Sequence, residues 1–372
     1  MKTKHFLFLV CIAILSVNCK NNAIKNDPVT QILHTQLDSL LLYKEIDGFS
    51  AGIYIDGKVY YFHKGELTKG QGDAPNEETL YEIASITKTF TGTLLAKALV
   101  ENKVQLDDDI RTFIDGDFSN LEYQNTPITF KNLATHRGRI PNMFPNKPAI
   151  FENPNHDTLP FIINNLHKDY SKEDFFNDLA LVDVDTIPGA KFGYSNAGAN
   201  LLGYCLENIY NQKFEDILRE QILKPLQMNN TKIALNNKDK EHLAQGYNVN
   251  HVKMPFGAEK DMNAEGGIKS TLGDMMKYVG YHLNEKDPVI ANSHEELLGL
   301  WDSFDNGLFW QIFTAKKEQP RKIFQNGGAF GTSSWLTIIP EKQIGVFIVT
   351  NKSGRNIHKK LNKTIESILR EL

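Results

Sequence analysis

Strand-like sequence sits at the two ends of this chain and helix-like sequence lies between them. That distribution constrains the fold more than any other feature. Near the start, residues 49–66 read FSAGIYIDGKVYYFHKGE. Two β-rich runs flank Asp56-Gly57, a pair suited to a two-residue hairpin turn whose central residues need positive φ. Near the end, SWLTII and IGVFIVT flank a Pro-Glu-Lys-Gln turn. A hairpin from each end can share one antiparallel sheet. Between them, helical patterns are expected over 131–136, 172–182, 196–210, 213–226 and 270–283, the last capped by Ser270 or Thr271. Residues 143–157, rich in Pro and Asn, read as irregular loop. Helices at 32–43 and from about Arg355 lie outside the two hairpins. The expected class is α/β (α+β): an antiparallel β-sheet of N- and C-terminal strands flanked by helices, with a mostly helical lobe inserted at about 90–265. A cleft between sheet and lobe is a usual place for a small-molecule site.

The first residues follow other rules. Two lysines precede FLFLVCIAILSV and then Cys19. A basic start, a short apolar core and small residues make a secretory signal, too short for a comfortable membrane span. Residues 1–18 are therefore expected to be a signal peptide and 19–30 a tether, with residues 31–372 forming the folded domain. A cysteine directly after the apolar run resembles the bacterial lipoprotein signal, which implies lipidation of Cys19 and a membrane partner through that anchor. The expected location is the periplasmic or outer face of a membrane, and otherwise periplasmic or secreted. Loss of Cys11 with the signal and acylation of Cys19 would leave Cys205 unpaired, so no disulfide framework is expected. Cys205 lies in an apolar helical pattern and reads as a small buried hydrophobe. The net charge of −4 and the absence of a basic stripe argue against nucleic acid as a partner.

Chemistry concentrates in EIASITKTFTGTLLAKALV, residues 82–100. Ser85 and Lys88 are three apart at the start of a helical pattern with Phe90, Leu94, Leu95, Ala98 and Leu99 on one stripe. Residues three apart share a helix face. Free N–H groups and the helix dipole at the N-terminus favour developing negative charge. A serine hydroxyl is a weak nucleophile until a base takes its proton, and a lysine whose pKa is lowered can be that base. The same pair also suits an ordinary capped, solvated helix start. Two further stretches add to it. In PGAKFGYSNAGANLLGY, Tyr194 and Asn196 sit between a Pro-Gly turn and a helix. In FQNGGAFGTSSWLTIIP, Gly327 and Gly328 run into a strand, where glycine marks close approach of a backbone or ligand.

These pieces, in this order, resemble the serine β-lactamase and penicillin-binding protein superfamily, and most closely the class C β-lactamases with related DD-peptidases and esterases. The likeness runs from about Gly48 to Val349 and includes ITFKNLATHRGRIPN and AEGGIKSTLGDMMKY. It implies Ser85 as the acylated nucleophile, Lys88 as its base partner and Tyr194 as the proton relay to the leaving group. Asn196 would bind the amide side of a substrate. Asn326, Gly327 and Gly328 would be the third motif, on an edge strand facing the cleft. The backbone N–H groups of Ser85 and Ala329 would form the oxyanion hole. The substrate is then a small-molecule or peptide amide or ester, with no cofactor and no metal.

The family pattern breaks at three places. Asn326 stands where lysine or histidine is usual and brings no positive charge. That favours a peptidase or esterase over a dedicated β-lactamase. Arg137 and Arg139 replace small residues beside His136; they either lie on the surface or lend charge to the cleft. His136 is expected to be a packed, hydrogen-bonded residue and not a base. Residues 48–52 match G-x-S-x-G, but that motif needs a following helix and here a hairpin follows. Eleven histidines include no H-E-x-x-H, which disfavours a zinc enzyme. The alternative function is a catalytically weak envelope binding protein that retains the penicillin-binding fold.

Overall fold

A computed structural model describes residues 27–258, 263–299, 304–316 and 319–372. The stretch expected to be a signal peptide, residues 1–18, and Cys19 lie outside the described residues. Seven antiparallel strands form the main sheet: β1 (Gly48–Ile55), β2 (Lys58–Gly65), β3 (Asp305–Asn306), β4 (Gln311–Phe313), β5 (Lys322–Gly328), β6 (Ser333–Ile339) and β7 (Ile344–Thr350). Their spatial order is β2-β1-β7-β6-β5-β4-β3. The N-terminal hairpin thus pairs with the last strand, in a register that sets Ile53 opposite Val346. Asp56 and Gly57 both have positive φ, +47° and +87°, as the two-residue turn requires. The expected antiparallel sheet of terminal strands is observed, extended by the short strands β3 and β4.

The pleat sorts the core into two layers. Phe49, Ala51, Ile53, Val346 and Ile348 face one way, and Phe347 and Val349 the other. The first set is covered by α1 (Pro28–Asp38) and α5 (Arg355–Glu371), through Leu33, Leu37, Ile357, Leu361 and Ile365. Asp27 caps α1 and Pro28 occupies its first turn, so the helix begins inside the stretch expected to be tether. The proline excludes nothing there, because its missing N–H would have no helical partner.

The other sheet face carries the helical lobe. Its central helix, α2 (Thr87–Val100), shows no exposed polar face: Thr87 through Ala96 are all buried. The apolar stripe expected from the sequence is one side of a helix packed all round, against α3 (Asn196–Tyr210) and other elements. The polar threonines bond inward, as Thr91 Oγ1 does to the Ala264 carbonyl at 2.7 Å. Cys205 is fully buried in α3, where burial pushes its thiol pKa up. Thr271 caps α4 (Leu272–His282), accepting from the Asp274 N–H. Residues 48–52 lie wholly within β1, with Ser50 buried; no nucleophile elbow exists there.

One of the close approaches between sheet and lobe lies beside Ser85. A Cβ on Gly327 would lie 2.1 Å from the Ile83 carbonyl oxygen. Gly327→Ala is therefore expected to force β5 away from this segment and to destabilise the fold by about 1–3 kcal/mol. Thermal unfolding measures it; an unchanged Tm would show that the approach is looser than described.

Candidate active site

Ser85 is set where sheet meets lobe by several independent ties. Tyr81–Glu82 pairs with Lys269–Ser270. The Ile83 N–H donates to the Ile268 carbonyl at 3.1 Å. Thr332 Oγ1 donates to the Glu82 carbonyl at 2.9 Å, and Ser334 Oγ to the Ile83 carbonyl at 3.3 Å. Ala84 takes the left-handed conformation, φ +49°, and turns the chain into a 3-10 turn that leads into α2. For alanine that conformation costs roughly 1–2 kcal/mol, and the surrounding bonds hold it in place.

The side chains converge as the sequence suggested. Lys88 Nζ donates to Ser85 Oγ at 3.0 Å and to the Glu265 carbonyl at 2.6 Å. The Lys88 side chain is completely buried, with the Glu265 carboxylate 3.8 Å away. Tyr194 Oη lies 2.7 Å from Ser85 Oγ. Its ring centroid is 5.1 Å from Lys88 Nζ. One hydroxyl therefore touches an ammonium and a phenol together. Neither Glu265 nor its carbonyl was singled out in the sequence; only the AEGG stretch hinted at it.

His136 is positioned behind Tyr194, with ring centroids 4.4 Å apart. Its Nδ1 accepts the Ser195 N–H at 3.2 Å, which assigns the ring proton to Nε2. Burial, with a smaller contribution from Lys88, pushes its pKa down to about 3. It is a neutral packing residue that props the tyrosine. His282 and His294, bonded to each other at 3.0 Å behind α2, are likewise held neutral chiefly by burial, even though Glu285 faces His294. These histidines bind protons more readily unfolded than folded. Stability is full above about pH 6.5, the unfolded value, and falls as pH drops below it, by at most about 1.4 kcal/mol per pH unit for each histidine. Melting curves at pH 7 and pH 5 check this; equal Tm values would contradict it.

Asn196 opens α3, whose cap is Ser195. Its Nδ2 donates to Asn142 Oδ1 at 3.1 Å, and its Oδ1 is buried without a partner. The amide is thus held by Asn142, while the lysine is held by Glu265.

The third motif needs a correction. The Ala329 N–H, expected in the oxyanion hole, donates to the Thr332 carbonyl at 3.1 Å and closes the β5–β6 hairpin. Backbone N–H groups alternate sides along an antiparallel strand. The Gly328 N–H therefore points away from β6, and Gly328 lines a cavity with Ser85. Nor is β5 the sheet edge. β4 covers it at Lys322–Phe324 only, which leaves residues 326–328 open on that side. Gly327 faces the Ile83 segment, so the pleat puts Gln325, two residues back, on the same face. Gln325 is held there by the Phe309 carbonyl at 2.7 Å and by Gln311 Nε2 at 3.1 Å. Asn326 and Gly328 belong to the other face, although Asn326 still borders the cavity. Neither Gln325 nor Asn326 brings a positive charge.

Ser85 opens on two cavities. The larger, about 590 Å3, is bordered by Tyr194, Arg137, Gln325 and the rings of Phe192 and Phe309. The smaller, about 300 Å3, is bordered by Asn196, Asn142, Gly328 and Glu265. Of the two unusual arginines, Arg139 pairs with Asp185 at 2.8 Å, and Arg137 enters the cleft. Among the described residues, no three His, Cys, Asp or Glu side chains cluster as metal ligands.

A family model described as Beta-lactamase matches residues 38–369. The chain belongs to the Beta-lactamase family. Its relatives include the D-alanyl-D-alanine-carboxypeptidase/endopeptidase AmpH of Escherichia coli (strain K12), 25% identical over 99% of this chain and 96% of that one. A Beta-lactamase of Pseudomonas fluorescens is 25% identical over 89% of this chain and 96% of the relative. A solved structure of Beta-lactamase/D-alanine Carboxypeptidase from Yersinia pestis, complexed with citrate, superposes with a TM-score of 0.75 at 22% identity. It covers 92% of this chain and 98% of that one. That match fixes the fold, a β-lactamase family member's sheet with its helical lobe.

Proposed function

We propose that the chain is an exported serine hydrolase that opens amides or esters through an acyl-enzyme on Ser85. The observation that carries this reading is Ser85 Oγ lying 3.0 Å from Lys88 Nζ and 2.7 Å from Tyr194 Oη. As Ser85 attacks the substrate carbonyl, its proton passes to the Lys88–Tyr194 pair, and Tyr194 delivers a proton to the leaving atom. Lys88 Nζ, already bonded to Ser85 Oγ and the Glu265 carbonyl, must shed a proton to act as base. The Ser85 and Gly328 N–H groups stabilise the developing oxyanion, a contribution of about 3 kcal/mol per donor. Asn196 binds the acyl-side amide from the smaller cavity.

Relatives bearing both D-alanyl-D-alanine carboxypeptidase and β-lactamase names support acyl transfer without choosing between substrates. The uncharged Gln325 and Asn326 favour a peptidase or esterase over a dedicated β-lactamase. Export follows from the signal sequence, with Cys19 as the lipid-anchored residue. A p-nitrophenyl ester run beside a chromogenic cephalosporin tests the preference: ester turnover should dominate. Fast cephalosporin turnover would reverse it.

A further inference from the structure

One of the two oxyanion donors depends on a single peptide plane, the one between Gly327 and Gly328. A trans peptide points its C=O and N–H in opposite directions. Whatever holds the Gly327 carbonyl therefore aims the Gly328 N–H. Glycine on both sides leaves this plane the widest conformational range. β4 pairs with β5 only as far as Phe324, so no strand covers residues 326–328 on the cavity side. Gly328 is exposed where it borders the smaller cavity. Along β6, Gly327 is matched with Ser334. The Ser334 hydroxyl lies 3.4 Å from the Gly327 carbonyl, and its one proton is shared with the Ile83 carbonyl at 3.3 Å.

Further support comes from the C-terminal helix. His358 stands near the start of α5, where Ile357 and Leu361 pack into the core. Its Nε2 lies 2.9 Å from the Gly327 oxygen. A carbonyl oxygen only accepts, so Nε2 carries the ring proton and donates it. Burial lowers the pKa of the ring by more than the bond to Gly327 raises it, so the ring is neutral at pH 7. The ring also covers Gly328: a Cβ there would lie 2.9 Å from His358 Cε1. One side chain thus grips the carbonyl of the plane and packs against the residue whose N–H that plane aims.

Resting on the serine-hydrolase reading, we propose that His358 is a positioning residue for acyl transfer: by donating to the Gly327 carbonyl it fixes the Gly328 N–H where the oxyanion develops. It acts through the peptide and not on the substrate. A hydrogen bond on the carbonyl also polarises the peptide and makes its N–H a stronger donor. As the bond from Ser85 Oγ to the substrate carbonyl carbon forms, the carbonyl π pair moves onto its oxygen, and the hydroxyl proton goes to the Lys88–Tyr194 pair. The charge that His358 serves arises only in this step. Its contribution therefore falls on the rate of acylation and not on substrate binding.

Two substitutions separate positioning from packing. His358→Leu keeps a side chain of similar volume and removes the donor. His358→Gln keeps an amide donor and gives up the ring. Burst kinetics on a p-nitrophenyl ester separate acylation from the binding that precedes it. His358→Leu should slow acylation by about 10- to 100-fold, part of the loss that follows removal of a whole oxyanion donor, with substrate Kd within about twofold. His358→Gln should stay within about threefold in both. An aryl trifluoromethyl ketone adds to the serine as a tetrahedral oxyanion. Its affinity for His358→Leu should fall by the same factor as the acylation rate. A packing role would give the reverse order, with His358→Leu the more active variant. Parent-like acylation in His358→Leu, or an equal loss in the two variants, overturns the proposal. The glutamine variant decides by itself if the leucine variant does not fold, since a tenfold slower acylation there also overturns it. An uncharged fluorophosphonate applied to the unmodified protein separates this role from the reading beneath it. Labelled Ser85 with acylation indifferent to His358 rejects the positioning role alone. Absence of labelling rejects the reactive serine and the positioning role with it.

Discussion

Ser85→Ala is expected to lower kcat on an activated ester by roughly 10⁴-fold or more, because no covalent intermediate can form without that hydroxyl. The loss should be nearly complete, since one atom joins the parts of the site. Ser85 Oγ is the shared neighbour of Lys88 Nζ and Tyr194 Oη. Deleting it leaves base and proton donor with nothing to exchange. The fold should barely respond. Ser85 is half-buried, and a hydroxyl bonded to polar neighbours contributes only about 1 kcal/mol. A steady-state assay beside a melting curve separates the two effects. Residual activity within tenfold of the parent would place the chemistry elsewhere.

Lys88→Met is the second large effect, and its two halves differ. General base catalysis contributes about 10²–10⁴-fold, so acylation should slow by about 10³-fold. Stability should fall only modestly. The ammonium is completely enclosed, 3.8 Å from a carboxylate that is itself 21% exposed. Replacing a whole buried ion pair by apolar side chains is often neutral, whereas removing one partner strands the other; here the stranded Glu265 carboxylate is still reached by water, which limits the loss. The Glu265 carbonyl loses this donor, and the expected loss of stability is about 1–3 kcal/mol. An enzyme slowed about a thousandfold yet only modestly destabilised would show that the lysine is kept for chemistry. Burst kinetics on a p-nitrophenyl ester measure acylation directly, and an undiminished burst rate would remove Lys88 from the proton path.

The sheet and the Ser85–Lys88 pair were legible in the sequence because each had a local signature. The Asp56-Gly57 turn needs positive φ at two positions, and few other pairs supply it. Ser85 and Lys88 are one helical turn apart, so their meeting required only that the helix form. Tyr194 was legible only through the family resemblance, because its own setting, between a Pro-Gly turn and a helix start, suits a packed aromatic equally. What was misread depended on long-range geometry. Ala329 was placed in the oxyanion hole by counting along a glycine run, yet the hairpin closure at Thr332 decides which N–H groups turn outward. The same register moves the cleft-facing side chain from Asn326 to Gln325. The left-handed Ala84 is held by the ties of Glu82 to Thr332 and of Ile83 to Ser334, far away in sequence. Glu265 contributes a backbone carbonyl, which no side-chain motif can report. Arg137 was visible as an exception to a pattern, but only the cavity wall shows which way it points.

The most direct test of the reactive serine is an intact-mass spectrum after treatment with an uncharged fluorophosphonate, followed by peptide mapping. One adduct per chain, confined to Ser85 and absent from Ser85→Ala, is the predicted result. An adduct on another residue, or no adduct on a folded protein, would contradict the account.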